Sequence, residues 1–299
     1  FERSPMYHCI MLYRVLDCYN LVRNNALFGK ELEDTLKEKA GGMLGWLEEV
    51  VYSDGRIPLL NDAAVGIAPT AKELIEYGQR LGIFCSKKVR LKESGYRKFR
   101  WGKFELFIDV GEVGPDYQPG HAHADTFSFE LYINGRPVIV DTGTSTYEVN
   151  NTRFYERSTA AHNTVVVFGQ NSSQVWAGHR VARRARVKVL CDEEERVIAE
   201  HDGYKRFGCL HTRKVEKMKE HLRIVDEIDC EGVAYLHFMP KEDIVLDGNR
   251  LIGPDYSIEF KGMREIESFT SMYAPEFNKR EERRSFRISF DRRLETIIQ

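Results

Sequence analysis

The sequence predicts an α+β multidomain protein, in which a helical N-terminal part is followed by an antiparallel β-sandwich. Up to about residue 80, apolar residues recur with the i, i+3, i+4 spacing of helices. From about Phe99 the apolar period changes to two, as in strands. Many short strands separated by turn signals, without helices between them, are typical of a sandwich. We place the boundary in the Lys- and Arg-rich stretch 85–98 and predict domains at 1–95 and 96–299.

Three helices are predicted in the N-terminal part. The first covers residues 5–22 and is apolar almost all round, as expected of a helix packed among other helices. The second carries an apolar stripe over residues 32–50. The third opens with a capping box at Thr70-Ala71-Lys72-Glu73 and runs to about Leu81. Three such helices do not close a bundle, so we expect further helices to precede them.

The clearest strand signal is a hairpin. Apolar and polar residues alternate over 127–133, and Asn134-Gly135 is the two-residue signal of a type I′ turn. The chain then returns as a strand over 137–140. Asp247-Gly248 marks a second hairpin. Further strands are predicted at 163–168, 184–190, 196–200, 222–228, 233–238 and 285–290.

Composition excludes several classes of protein. The 299 residues include 44 Lys and Arg against 46 Asp and Glu, a net charge of −2, which argues against a nucleic-acid binder that works by bulk charge. No apolar run has the length of a membrane-spanning helix. The six cysteines have no CxxC spacing, so we predict buried free thiols. The chain opens at Phe1 without an initiator Met, and we expect it to be part of a larger protein.

Three residues of the β part form a candidate metal site. His123 lies in the segment PGHAHAD, and Asp141 and His162 follow it in the same predicted domain. Imidazole and carboxylate together suit a divalent ion, above all Zn²⁺. By spacing alone, hydrogen-bonded structural histidines remain an alternative. The two-residue turn places Asp141 opposite Ser128, so the HAH segment must fold back as a loop to meet it. A cupin-type iron site is disfavoured because Phe127 and Ser128 stand at the two positions where its carboxylate would be.

Two long segments carry a resemblance to a known family. GHAHADTFSFELYINGRPVIVDTG and RSTAAHNTVVVFG resemble the heparinase II/III-like family of polysaccharide lyases, and ERSPMYH and IPLLNDAA resemble segments of its helical domain. The resemblance covers residues 2 to about 190. It implies the C-terminal part of an (α/α) toroid followed by the sandwich, with the active site in the cleft between them. It also implies a missing N-terminal toroid segment and a periplasmic or secreted protein.

The resemblance assigns roles residue by residue. Tyr7 and His121 match the acid–base pair, and His123, Asp141 and His162 match the ligands of a structural divalent ion. No residue of this chain matches the Asn or His that neutralises the substrate carboxylate, so we expect that group upstream of Phe1. A core position for Tyr7 and a supporting position for His121 beside His123 are the structural alternatives.

Substrate contacts are predicted outside these motifs. Asn163 follows His162 and could position substrate, although an Asn at the start of a strand often bonds to local backbone. Arg184 and Arg186 belong to a cationic strand face that could bind carboxylate or sulfate. The alternative is a solvated face neutralised by the acidic run 192–195.

The function hypothesis follows from the resemblance. We expect a polysaccharide lyase that cleaves a uronic-acid-containing glycan (a glycosaminoglycan, alginate or capsular polysaccharide) by β-elimination, although this fragment alone could be inactive. Its partner would be the acidic polysaccharide, with no nucleic acid and no membrane span. Two alternatives stay open: a non-catalytic glycan-binding or polysaccharide-assembly protein that keeps the fold, and metal-dependent hydrolysis, which would give saturated products.

Overall fold

The computed structural model describes residues 2–85 and 89–299. Within these residues, four α-helices and fifteen strands form, together with three short 3₁₀ segments. The helices are α1 (Pro5–Arg23), α2 (Lys30–Val50), α3 (Ala71–Arg80) and the short α4 (Asn151–Glu156). The strands begin at Tyr96, and residues 86–88 of the predicted boundary lie outside the described residues.

Helices α1, α2 and α3 occur where the apolar spacing predicts them, and they pack against one another. Ser4 caps α1 by accepting a hydrogen bond from the Tyr7 amide, with Pro5 in the first helical turn. The capping box of α3 is confirmed: Thr70 accepts from the Glu73 amide at 3.3 Å, and the Glu73 carboxylate accepts from the Thr70 amide at 2.8 Å. Helix α4 interrupts the β part and was not predicted.

The strands form three sheets. A four-stranded sheet has the order β1-β2-β3-β4, a nine-stranded sheet contains the order β12-β13-β14-β15-β11-β10-β9-β8 with β5 beside β11, and β6 pairs with β7. The paired strands run antiparallel. The strands are β1 (Tyr96–Trp101), β2 (Phe104–Asp109), β3 (Phe129–Ile133), β4 (Arg136–Ile139), β5 (Val165–Val166), β6 (Val175–Trp176), β7 (Arg180–Val181), β8 (Val187–Asp192), β9 (Arg196–His201), β10 (His211–Lys217), β11 (Leu222–His237), β12 (Val245–Asp247), β13 (Arg250–Ile252), β14 (Ser257–Glu276) and β15 (Lys279–Ile298).

The four-stranded sheet is the middle layer of the molecule. Leu106 and Ile108 of β2 belong to the core shared with the nine-stranded sheet, whereas Phe107 belongs to the core shared with the helices. Neighbouring residues of a strand point to opposite faces, so both faces of β2 are covered and all its residues are buried. The helices therefore pack directly on the sandwich, and loops at this junction come from both parts.

The predicted hairpin is confirmed, with Asn134 at φ 52° and Gly135 at φ 74° in the turn between β3 and β4. Two other predictions needed correction. The strands predicted at 222–228 and 233–238 are one strand, β11, whose pairing with β15 shifts between Glu227 and Glu231. The strand predicted at 163–168 is only Val165–Val166.

The cysteine prediction was wrong for one pair. Cys209 and Cys230 form a disulfide, with Cα atoms 6.1 Å apart. The antiparallel pairing of β10 and β11 places His211 opposite Ile228. Continuing this register by two residues places Cys209 opposite Cys230, which are 21 positions apart in the sequence. Of the other cysteines, Cys9 is buried and Cys18 is exposed. In the part of the chain described here, none of the helices combines the length and apolarity required to cross a membrane.

Candidate active site

A buried carboxylate lies at the junction of the helices and the sandwich. Asp62 follows Asn61, which adopts the left-handed conformation at φ 58° that Asn tolerates better than most residues. The Asn61 side chain accepts a hydrogen bond from the His123 amide at 3.1 Å, and the Asp62 amide donates to the His121 carbonyl at 3.0 Å. From the other side, the Ser4 hydroxyl donates to the Asp62 carbonyl at 2.6 Å. This loop is therefore bonded to both parts of the molecule.

The Asp62 carboxylate contacts three cationic or imidazole side chains. His121 Nδ1 lies 2.9 Å from Oδ2, and His123 Nε2 lies 2.7 Å from Oδ1. The Arg153 guanidinium donates to both oxygens, at 2.8 Å for Nη2 to Oδ2. Burial alone would raise the pKa of Asp62, but the hydrogen bonds from His121, His123 and Arg153 hold it well below its usual range. Asp62 is therefore ionised although it is fully buried.

Tyr7 and His121, the predicted acid–base pair, lie in contact. Their ring centroids are 4.0 Å apart, with 30° between the ring planes. The Tyr7 hydroxyl is 3.1 Å from the hydroxyl of Tyr147, which comes from the β part. Burial raises the pKa of Tyr7, and the bond to Tyr147 partly offsets that rise. The structure thus brings together two residues that are 114 positions apart in the sequence.

The rim of this site carries further polar groups. Glu2 Oε2 lies 3.6 Å from His121 Nε2, and the ring of His179 stands 5.5 Å from that of His121. His179 is about half exposed and also packs edge-on against Tyr147, with centroids 4.9 Å apart. A cleft of about 860 Å³ opens from Tyr7 along α1 and α2. Its lining includes the aromatic residues Tyr7, Trp46 and Tyr117 and the cations Arg3, Lys39 and Arg90.

The predicted metal ligands lie together in a fully buried compartment behind His121. His123 and His162 have ring centroids 5.3 Å apart, and His162 Nδ1 is 2.8 Å from Asp141 Oδ2. The Ser128 hydroxyl donates to the same oxygen at 3.2 Å, although the β3–β4 register that predicted Asp141 opposite Ser128 shifts between Leu131 and Tyr132. Three buried atoms in this compartment have no hydrogen-bond partner: His123 Nδ1, His162 Nε2 and Asp125 Oδ2. Two imidazole lone pairs and a carboxylate oxygen are a donor set that suits Zn²⁺.

A second group could also hold an ion. Ligand atoms of Asp62, His121 and His179 lie within 4.8 Å of one another, the one such trio found in residues 2–85 and 89–299. However, Arg153 donates to both oxygens of Asp62, so an ion there would compete with a guanidinium for the same lone pairs. The predicted ligands His123, Asp141 and His162 do not form such a trio in the described residues, and what favours their compartment is the partnerless nitrogens of His123 and His162.

The predicted substrate residues lie elsewhere. Asn163 is fully buried, and its amide group donates to the carbonyls of Phe129 and Val140. Arg184 pairs with Asp116 at 3.0 Å, and Arg186 lies 3.5 Å from the same carboxylate. The predicted cationic strand face was wrong at these positions, because both arginines lie before β8 (Val187–Asp192), and their acidic partner is Asp116 rather than the run at 192–195.

Sequence reasoning missed four residues of the site: Asp62, Tyr147, Arg153 and His179. Asp62 stands in IPLLNDAA, a segment already noted for its resemblance, so its carboxylate could have been singled out there. Arg153 gave no signal, because its partner is 91 positions away and its helix α4 has only six residues.

Comparisons with known proteins match one family and several of its relatives. The family described as heparinase II/III-like, C-terminal, matches residues 86–299. A heparin-sulfate lyase of Bacteroides stercoris is 26% identical over 281 residues, covering 82% of this chain and 39% of that protein. Two solved structures cover this whole chain with TM-scores of 0.76: a heparinase III (20% identity, 51% of its chain) and the heparan sulfate lyase HepC from Pedobacter heparinus (17% identity, 52% of its chain). The chain thus spans about half of these solved structures, and less of the curated relative.

Proposed function

Because the chain belongs to the heparinase II/III-like family, we propose that it is the C-terminal part of a polysaccharide lyase that acts on an acidic glycan of the glycosaminoglycan type. The named relatives are heparin and heparan sulfate lyases. The observation that carries the proposal is the contact between Tyr7 and His121, at 4.0 Å between ring centroids, beside a cleft of about 860 Å³ that Tyr7 lines. In this proposal helices α1–α3 end an (α/α) toroid within residues 1–95, and residues 96–299 form the sandwich domain.

The proposed reaction is β-elimination at a uronic acid. A base removes the C5 proton, the C4–C5 double bond forms, the C4–O bond breaks and an acid protonates the departing oxygen. Tyr7 lines the cleft and His121 packs against it, so these two groups are our candidates for the proton transfers. Since burial raises the pKa of Tyr7, its hydroxyl is protonated at neutral pH and suits the role of acid. His121 would then serve as the base through Nε2.

Charge on the substrate must also be matched. The cations Arg3 and Arg90 line the cleft and would pair with acidic groups of a bound chain, while the carboxylates Glu2, Glu38 and Glu93 of the same lining offset their long-range attraction. Arg184 and Arg186 remain candidates for more distant contacts, and Asn163 for a supporting position beneath the site. The group that neutralises the developing carboxylate charge would come from a part of the protein outside this chain.

A divalent ion, in this proposal Zn²⁺, would be held by His123, Asp141 and His162. Because Asp141 Oδ2 already bonds to His162 Nδ1, the partnerless Oδ2 of Asp125 is a further candidate ligand. When bound, it would supply a fixed positive charge that organises the sandwich side of the cleft. The orphaned lone pairs of the two imidazoles support this assignment. For the whole protein we further propose a periplasmic or secreted location, which cell fractionation would test.

The test uses the full-length protein that contains this chain. It is incubated with heparan sulfate, heparin, hyaluronan and alginate, and ultraviolet absorbance reports the new conjugated C4–C5 double bond. The expected result is an absorbing, unsaturated product from at least one polymer. Glycan binding without such absorbance would favour the non-catalytic alternative, and saturated products that disappear on chelation would favour hydrolysis.

A further inference from the structure

The Asp62 carboxylate bonds to two histidines that have different proposed roles. Oδ2 is 2.9 Å from Nδ1 of His121, which is partly exposed beside Tyr7, and Oδ1 is 2.7 Å from Nε2 of His123, which is fully buried. An ionised carboxylate can only accept hydrogen bonds. Each imidazole must therefore carry a proton on the nitrogen that faces Asp62.

In a neutral imidazole this requirement fixes the opposite nitrogen as the one with the lone pair. His121 with its proton on Nδ1 presents the Nε2 lone pair on the side of Glu2, whose Oε2 is 3.6 Å away. His123 with its proton on Nε2 presents the Nδ1 lone pair to the buried compartment, where that atom has no hydrogen-bond partner. Asp62 thus leaves the Nε2 lone pair of His121 available for proton transfer and the Nδ1 lone pair of His123 available for an ion.

Arg153 holds the carboxylate from the opposite side. Its guanidinium is fully buried, donates to both oxygens of Asp62, and also donates to the Gly178 carbonyl at 2.9 Å from Nε. Its position in α4 is fixed by the Asn150 cap, which accepts from the Arg153 amide at 3.0 Å. A planar fork against a carboxylate allows little rotation, so the two histidine bonds keep their directions.

We propose that Asp62, clamped by Arg153, is a positioning residue that couples the two histidines: it holds His121 in the Nδ1–H tautomer for proton transfer and His123 in the Nε2–H tautomer for ion binding. The kinetic part of this inference rests on the proposed lyase function, whereas the tautomers do not. Losing such an orienting carboxylate is expected to lower kcat by about 10²–10⁴-fold with a smaller change in KM. It is also expected to weaken Zn²⁺ binding by ~10–100-fold.

The first measurement is independent of activity. Full-length protein labelled with ¹⁵N at histidine is examined by long-range ¹H–¹⁵N correlation NMR, with the His121 signals identified from their loss in His121→Gln. The expected wild-type result is the Nδ1–H tautomer for His121, changed in Asp62→Asn. An Nε2–H tautomer in the wild type would overturn the proposal, even if Asp62→Asn did not fold.

The second measurement is a double-mutant cycle on kcat, read from the unsaturated product. If Asp62 acts through His121, Asp62→Asn lowers kcat in the wild type but causes no further loss in His121→Ala. Additive losses would contradict the proposal. Glu156→Gln is the matched control, because Glu156 is a buried carboxylate bonded to Ser145 and touches neither histidine. It should retain wild-type kcat and Zn²⁺ affinity.

If the wild type gives no unsaturated product on any polymer, the lyase proposal fails, while the tautomer of His121 and the Zn²⁺ affinity still decide the role of Asp62. Zn²⁺ affinity is measured by titration of the metal-free protein with Zn²⁺ alone. An unchanged affinity in Asp62→Asn would refute the coupling to His123.

Discussion

The paired substitutions Tyr7→Phe and Tyr147→Phe separate catalysis from packing. Each variant removes one end of the same hydroxyl–hydroxyl contact, 3.1 Å long, and retains its aromatic ring. One partly buried hydrogen bond is worth about 0.5–1.5 kcal/mol, so both variants should lose a similar, small amount of stability. Only Tyr7→Phe removes the hydroxyl that we propose to transfer a proton at the cleft.

The expected kinetic effects differ by orders of magnitude. Loss of a general acid or base lowers the rate by ~10²–10⁴-fold, which corresponds to about 3–5 kcal/mol of the barrier. This exceeds the value of the lost hydrogen bond, so kcat of Tyr7→Phe should fall much further than kcat of Tyr147→Phe. The assay is the initial rate of ultraviolet absorbance, with thermal unfolding measured in parallel. Equal losses of kcat in the two variants would refute the assignment of Tyr7.

The same pair predicts a pH effect. Burial raises the pKa of Tyr7, and the hydrogen bond from Tyr147 lowers it. Tyr147→Phe removes the lowering contribution, so the pKa of Tyr7 should rise further. Any limb of the pH–rate profile that follows Tyr7 ionisation should therefore move to higher pH in Tyr147→Phe. A shift to lower pH would contradict this.

Three further predictions concern the sandwich, the helix–sheet contact and the metal compartment. Arg213→Met breaks a buried pair with Asp226, whose atoms are 2.7 Å apart, and should destabilise the fold by about 3–5 kcal/mol in urea denaturation. The control Arg196→Met, at an exposed pair, should change stability far less. Burial lowers the pKa of Lys98 from 10.5 to about 8, so between these values the unfolded state binds more protons. The free energy of unfolding of the wild type, relative to that of Lys98→Met, should therefore rise by at most ~3 kcal/mol between pH 8 and pH 10.5. A difference that does not change with pH would contradict the lowered pKa of Lys98. His162→Ala should lose bound Zn²⁺ in elemental analysis, and an unchanged metal content would remove His162 from the ligand set.

Local signals in the sequence predicted local structure well. The capping box at Thr70 and the Asn134-Gly135 turn depend on residues within four positions of each other, and both form as expected. The strand β14 was missed because its central residues are exposed or half-buried on both faces, which removes the apolar alternation that marks a strand. Its 20 residues are ordered by pairing with β15, a contact that no local pattern encodes.

The candidate site was predicted only in part, again because some of its contacts join residues that are far apart in the sequence. Tyr7, His121, His123 and His162 lie in segments with a recognisable resemblance, and the fold brings them to one junction. The resemblance gave no roles to Arg153 and Tyr147, whose importance arises only from contacts 91 and 140 residues apart. The sequence shows which polar residues are present. Only the long-range contacts of the folded chain decide which of them lie in the site.

The Asp62 carboxylate pairs with its partners across the junction between the helical part and the β part. An ionised carboxylate with no exposed surface is tolerated only if its partners are present, since breaking a buried pair costs about 3–5 kcal/mol. Asp62 lies in the loop before α3, whereas its partners Arg153, His121 and His123 all come from the β part. Separation of the two parts would leave either a buried carboxylate or a buried guanidinium without its counter-charge. Neither part is therefore expected to keep this arrangement alone, and the candidate active site exists only where the two are packed together.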